Sequence, residues 1–215
     1  MMFRDRRDAG RRLAAALASF AGQDVVVLAL PRGGVPVAAE VAQALAAPLD
    51  LILVRKIGSP FHEELAMGAV ADGGATVRNP DVMAAYGVDE ATFEAARAAQ
   101  LREIERRRAA YLGKRPPVDV AGRVAILVDD GVATGATTRA ALQAVRARGP
   151  RRLLLATPVA PSDVLVALEA DADEVVCLEP LGPVGAIGAH YLDFRQLEDD
   201  EVVKTMARLR QPGRD

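Results

Sequence analysis

The sequence predicts an α/β fold, a mostly parallel twisted sheet with helices on both faces, and three observations carry that prediction. Short apolar runs such as Asp24 to Leu30 (DVVVLAL) and Val124 to Val128 (VAILV) have the length and unbroken hydrophobicity of strands buried on both sides. These runs alternate with stretches of helical spacing along the whole chain, the pattern of repeated strand–helix crossovers. Two of the strands run straight into loops of small residues that open helices, at Pro31-Arg32-Gly33-Gly34 and at Gly131 to Thr138. In such a sheet ligands bind beyond the strand C-terminal ends, where Arg32, Arg55, Lys56, Asp129 and Thr134 all fall.

Composition bounds the rest. At 215 residues and 51% hydrophobic, the chain suits one domain with a sizeable core. A net charge of −2 does not advertise nucleic-acid binding. The single cysteine, Cys177, lies in an apolar run and reads as a structural thiol. No apolar run approaches a bilayer's thickness, and Asp5 and Asp8 interrupt the arginine-rich start, so a soluble, cytoplasmic protein is expected.

In chain order, Arg4 to Phe20 places Leu13, Leu17 and Phe20 on one helical face and arginines on the other. The strand Asp24 to Leu30 leads through Pro31-Arg32-Gly33-Gly34 into a helix from about Val35 to Ala46, with Pro36 tolerated in its first turn. Paired glycines let backbone approach a ligand closely, and Arg32 offers a bidentate cation to phosphate oxygens. Asp50 to Val54 reads as a strand that Arg55-Lys56-Ile57-Gly58 leaves, followed by the polar, irregular stretch Ser59 to Glu64. His62 in that stretch reads as a solvated loop residue before an acid or base, and Glu63 and Glu64 as a solvated edge. Leu65 to Val70 and Ala75 to Arg78 form a hairpin joined by Asp72-Gly73-Gly74.

Residues 80–117 make a helical insert, continuously helix-favouring from Asp89 to Tyr111. Arg106, Arg107 and Arg108 crowd its far end and read as a solvated, dipole-favoured face. The insert is expected to pack near the Ser59–Glu64 stretch or on a dimer partner. Later come a strand Arg152 to Ala156 ending at Thr157-Pro158, a helix from Ser162 as N-cap to Glu169, and a last strand Glu174 to Leu178. The tail from Val184 to Glu201 is polar and glycine-rich, then helical to about Leu209.

The centre of the chain is Arg123 to Arg139, RVAILVDDGVATGATTR. An apolar strand delivers two acids, Asp129 and Asp130, then a small hydroxyl-bearing turn, with helical spacing resuming from Ala140 to Arg148. Unpaired amides of the turn, the helix dipole and threonine hydroxyls together make an anion site. A phosphate alone would not favour two neighbouring carboxylates. A ligand carrying a phosphate, adjacent hydroxyls and a divalent ion would, because carboxylates accept hydroxyl protons and attract Mg2+. Competing phosphate motifs are missing: the sequence holds no G-x-x-x-x-G-K-[ST] and no G-x-G-x-x-G after a strand.

This stretch resembles the phosphoribosyl-pyrophosphate (PRPP) signature of type I phosphoribosyltransferases. The start FRDRRDAGRRLAAAL, the middle RKIGSPFHEELAMGAV and the tail VGAIGAHYLDF resemble a group of bacterial phosphoribosyltransferases, so the likeness spans nearly the whole chain. It implies the type I fold with a small hood, here 180–198. By the resemblance, Asp129 and Asp130 hold the ribose hydroxyls, and Ala133, Thr134, Gly135, Ala136 and Thr137 cradle the 5-phosphate. Arg32, Gly33 and Gly34 bind the pyrophosphate, while Arg55 and Lys56 resemble the basic start of a catalytic loop. It implies Mg2+ as cofactor, held mainly through PRPP and water, a nucleobase-like acceptor and a homodimer. Val184 stands where the group's pattern has Phe, so stacking on a base at 184 is not expected. Tyr191 or Phe194 are left as aromatic substitutes, and Tyr191 and Asp193 mark the base or Mg2+ region. Ala133 stands where hypoxanthine-guanine enzymes carry a carboxylate, so no base comes from that position. A second reading stays open, a PRPP-sensing regulator with the insert as its partner surface; the retained Arg55-Lys56 pair favours an enzyme.

Overall fold

A computed structural model describes residues 2–59, 66–182 and 186–209. Its centre is a five-stranded parallel sheet in the order β2-β1-β6-β7-β8, built from β1 (Val25–Ala29), β2 (Leu49–Leu51), β6 (Val124–Val128), β7 (Arg152–Pro161) and β8 (Glu174–Leu181). Every residue of β1 and β6 is buried, which is why both strands read as unbroken apolar runs. Alternation splits their side chains between two layers. Val25, Val27 and Ala29 pack with helices α1 (Arg6–Ala16), α2 (Gly34–Ala44) and α7 (Asp199–Arg208). Val26 and Leu28 pack on the other side with α5 (Ala136–Arg146) and α6 (Ser162–Leu168). Helices therefore cover both faces, as the sequence predicts. Gly10 lets α1 and α2 approach closely, since a Cβ there would lie 2.7 Å from the Val37 carbonyl oxygen.

A second, antiparallel sheet, β3-β4-β5, sits beside the first and comprises β3 (Val54–Gly58), β4 (Ala66–Ala71) and β5 (Thr76–Arg78). The expected hairpin is its β4–β5 pair. The expected strand Asp50 to Val54, however, is divided. Leu51 pairs with Ala29 in the main sheet and the Ile52 amide donates to the Ala29 carbonyl. The chain then turns away, and Val54 begins pairing with Ala71. Arg55 and Lys56 thus lie inside a strand of the small sheet, on opposite faces, rather than at the exit of a main-sheet strand.

The insert forms α3 (Pro80–Ala85) and the 23-residue α4 (Glu90–Leu112), capped by the Asp89 side chain on the Thr92 amide. Phe93, Ile104 and Tyr111 are buried in the chain's own core, alongside α2 and α7. Arg108 also departs from the solvated face expected for the arginine run. Its guanidinium binds both oxygens of Asp50 at 3.0 and 3.3 Å and Asp72 at 2.6 Å. Asp50 is 0% exposed, so this fork is a buried bond between α4, the edge of the main sheet and the small sheet.

Three boundaries shift for local reasons. β7 runs past Thr157-Pro158 to Pro161, because its pairing with β6 ends at Ala156 and the N–H that Pro158 lacks has no ladder partner to lose. Pro161 rather than Ser162 stands at the α6 N-cap, and the Ser162 hydroxyl donates to the Leu181 carbonyl at 3.0 Å. Helix α5 begins at Ala136, four residues before Ala140, so Ala136 and Thr137 belong to its first turn. No helix among the described residues is long and apolar enough to cross a membrane.

Candidate functional site

The two strand–loop–helix units lie side by side at the middle of the sheet, and their loops touch. A Cβ on Gly33 would fall 2.1 Å from Asp130 Oδ2, and one on Gly34 would fall 2.7 Å from the Val128 carbonyl oxygen. Only glycine fits at either position. The Pro31–Arg32 peptide between β1 and these glycines is cis.

Beyond β6 the two acids have different surroundings. Asp130 is fastened from outside its own loop. Arg6 Nε donates to its Oδ2 at 2.7 Å, with Arg6 and Asp130 side chains 11% and 13% exposed. The Tyr191 hydroxyl donates to its backbone carbonyl at 2.6 Å. Asp129 accepts from the Asp130 amide at 2.9 Å. Burial first and the neighbouring Asp130 charge second push the Asp129 carboxyl well above the usual carboxylate range. One acid is therefore ion-paired, and its neighbour holds its proton more tightly.

The loop that follows is open. Ala133, Thr134, Ala136 and Thr137 are exposed. Gly135, with φ of +76°, turns the chain into α5, and no side chain caps that helix start. The first-turn amides thus lack intrahelical partners and face outward. Gly135 also sits close to α6, since a Cβ there would meet Val164 at 2.9 Å.

Arg32 reaches across to α7, its Nη1 lying 3.4 Å from Asp199 Oδ1, and the Tyr111 hydroxyl donates to the same oxygen at 2.7 Å. The Tyr111 hydrogen bond, with help from the Arg32 charge, holds the Asp199 carboxyl below its usual range. Burial and then Asp199 push the Tyr111 phenol up to about 12. Arg55 accompanies Asp129 and Thr137 in the walls of a cleft of about 100 Å³, and its Nε donates to Gln100 Oε1 at 3.0 Å. Lys56, one residue on, is exposed.

The remaining candidates lie elsewhere. Tyr191 is buried between Phe3 and Phe194, with ring centroids 5.3 and 4.7 Å away, so its ring packs the tail onto α1. Asp193 is exposed, accepts from the Arg195 amide, and lines a separate cavity of about 170 Å³ between α1, α2 and α7. Cys177 is half-buried near the Pro158 carbonyl, and burial pushes its thiol up. His62, Glu63, Glu64 and Val184 lie outside the described residues. Among the described residues no group of three or more His, Cys, Asp or Glu could hold a metal ion.

The sequence profile of the phosphoribosyl transferase domain matches residues 5–193, which takes in both loops, both acids and the insert. The chain belongs to that family. It is 48% identical over 207 residues to two Mycobacterium tuberculosis proteins, from strains CDC 1551 and H37Rv, provisionally named phosphoribosyl transferases. The match covers 96% of this chain and 47% of each of theirs, so the chain spans about half the length of those relatives. The crystal structure of TT1426 from Thermus thermophilus superposes with a TM-score of 0.84 at 44% identity, covering 97% of this chain and 99% of that one.

Within this phosphoribosyl transferase domain, residues that the sequence did not single out for the site also approach it, among them Arg107, which it placed on a solvated face. Arg6 is one of five arginines between residues 4 and 12, and nothing in its spacing marks it as the one paired with Asp130. Gln100 and Arg107 come from the insert, and their signal is helical phase, 100 and 107 sharing a stripe with Ile104 and Tyr111.

Proposed function

We propose that the chain binds PRPP with Mg2+ and transfers its 5-phosphoribosyl group to a nitrogenous base, releasing pyrophosphate. The observation that carries this reading is the abutment of Gly33 and Gly34 on the Asp129–Asp130 pair. It sets a backbone loop able to approach a diphosphate beside acids able to hold ribose hydroxyls, with the open α5 N-terminus on the same strand exit. In this reading the amides from Ala133 to Thr137 and the threonine hydroxyls hold the 5-phosphate. Asp129 and Asp130 accept the ribose hydroxyl hydrogens, and Arg32, Gly33 and Gly34 hold the pyrophosphate.

The reaction breaks the bond from C1 to the pyrophosphate oxygen, which keeps the electron pair. The acceptor nitrogen forms the new bond to C1 and its proton passes to solvent. Positive charge at the departing oxygens lowers the barrier most, and Arg55 in the cleft wall is suited to that role. Lys56 is exposed on the opposite face of β3 and does not line the cleft. Two adjacent carboxylates, which among the described residues belong to no group of three or more His, Cys, Asp or Glu, fit a Mg2+ that keeps its waters and rests mainly on substrate oxygens. When bound, the ion would supply further charge neutralisation at the pyrophosphate.

The test is a pyrophosphate-release assay with PRPP, Mg2+ and a panel of purine, pyrimidine and other nitrogenous bases. Release with one base supports the enzyme and names its acceptor. PRPP binding without release from any base favours the PRPP-sensing alternative.

A further inference from the structure

The insert helix meets the site along one stripe. Gln100, Ile104, Arg107 and Tyr111 recur at spacings of four, three and four, so they lie over one another on a single face of α4. Gln100 accepts from Arg55, Ile104 and Arg107 line the cleft that holds Asp129 and Thr137, and Tyr111 binds the carboxylate that holds Arg32. The buried Arg108–Asp50–Asp72 fork fixes the helix against both sheets one residue from Arg107. A stripe on a fixed helix that reaches both Arg55 and Arg32, and lines the cleft with Asp129, is more than a surface decoration.

Arg107 and its neighbour Arg106 share Glu103 but differ in every other respect. Arg106 binds Glu103 through Nε and Nη2, is 67% exposed, and does not line the cleft. Arg107 binds Glu103 through Nε alone at 2.8 Å, is 39% exposed, and lines the cleft with Arg55, Pro31 and Thr137. Among the described residues its Nη atoms make no hydrogen bond, and that terminal edge of a guanidinium matches the paired oxygens of a phosphate. Two arginines, Arg55 and Arg107, line a cleft of about 100 Å³ in which Asp129 is the one acid among the lining residues, an anion site suited to a diphosphate.

We infer that Arg107, presented by the insert helix, is a direct ligand of the diphosphate arm of the substrate and of free pyrophosphate, completing a set with Arg32 and Arg55. This rests on the reading proposed above and adds a residue to it from a segment outside both loops. Tyr111 and Gln100 then act as positioning residues, through Asp199 on Arg32 and directly on Arg55.

Titration calorimetry of inorganic pyrophosphate with Mg2+, and of ribose 5-phosphate as a ligand lacking the diphosphate, tests it on the wild-type chain and on Arg107→Ala, Arg107→Lys and Arg106→Ala. Arg107→Ala should weaken pyrophosphate about 10- to 100-fold, the loss of charge-assisted bonds, while ribose 5-phosphate is unaffected. Arg106→Ala should stay within about twofold of wild type, as an exposed pair partner does. Arg107→Lys should recover part of the loss and, with the charge conserved, serves where the alanine variant fails to fold. Equal pyrophosphate affinity in Arg107→Ala and Arg106→Ala overturns the inference while leaving the PRPP reading intact. Wild-type protein that binds neither PRPP nor pyrophosphate overturns both.

Discussion

The two loops at the centre of the sheet are built alike and supported differently. Each follows a fully buried strand and opens a helix of 11 residues. The loop after β1 is closed in: its glycines press on the acids, and Arg32 is held through Asp199 and Tyr111 by two further helices. The loop after β6 stands open, with four exposed residues and an uncapped helix start. The difference teaches where specificity and tolerance lie. A loop that places a cation and glycines against carboxylates depends on shape and on distant supports, whereas a loop that offers amides and hydroxyls depends on its own backbone.

Removing the support should therefore hurt the first loop more than the second. Arg108→Ala strands the buried Asp50 charge and should cost about 3–5 kcal/mol of stability, read from denaturant unfolding. Any folded fraction should lose pyrophosphate affinity before ribose 5-phosphate affinity, and equal losses would break the contrast. Gly33→Ala should come next, because its Cβ must displace the Asp130 carboxylate and a displacement of that size costs about 10²-fold in kcat/KM. Full activity in that variant would mean the two loops are not held in contact. On the open side, Thr137→Val should cost about 1.5–3 kcal/mol of PRPP affinity, one hydrogen bond to a charged phosphate, with no change in melting temperature.

The smallest signal is a slope. Because Asp129 holds its proton above the usual value of 3.8, the folded chain carries a proton across that window which the unfolded chain has lost. Stability contributed by this group is present below the window and falls as pH rises through it. Asp129→Asn should flatten the fall in melting temperature across that window. On the proposed reading, in which a free Asp129 carboxylate holds the ribose, PRPP should bind with proton release there, measurable by titration in buffers of different ionisation heat. A variant with the wild-type slope would remove the assignment.

Much of this was legible in the chain because the central strands are buried on both faces and leave no polar interruption. Both loops announced themselves through glycine, threonine and paired acids. The small sheet was harder, since DLILVRKIG runs without a turn residue between β2 and β3. Only pairing with Ala29 on one side and Ala71 on the other divides it. The arginine run 106–108 holds three identical residues with three fates, a surface pair, a cleft wall and a buried fork. Helical phase from Ile104 separates them once the docking of α4 is known, and composition alone does not. Arg6 carries no local signal, because its partner lies 124 residues away.

The most direct test of the central claim is calorimetric titration of PRPP into the chain with and without Mg2+. The two-loop site predicts one saturable, Mg2+-dependent event per chain that inorganic pyrophosphate competes away. No heat with PRPP under either condition would contradict it and return the Gly33–Asp130 contact to a purely structural role.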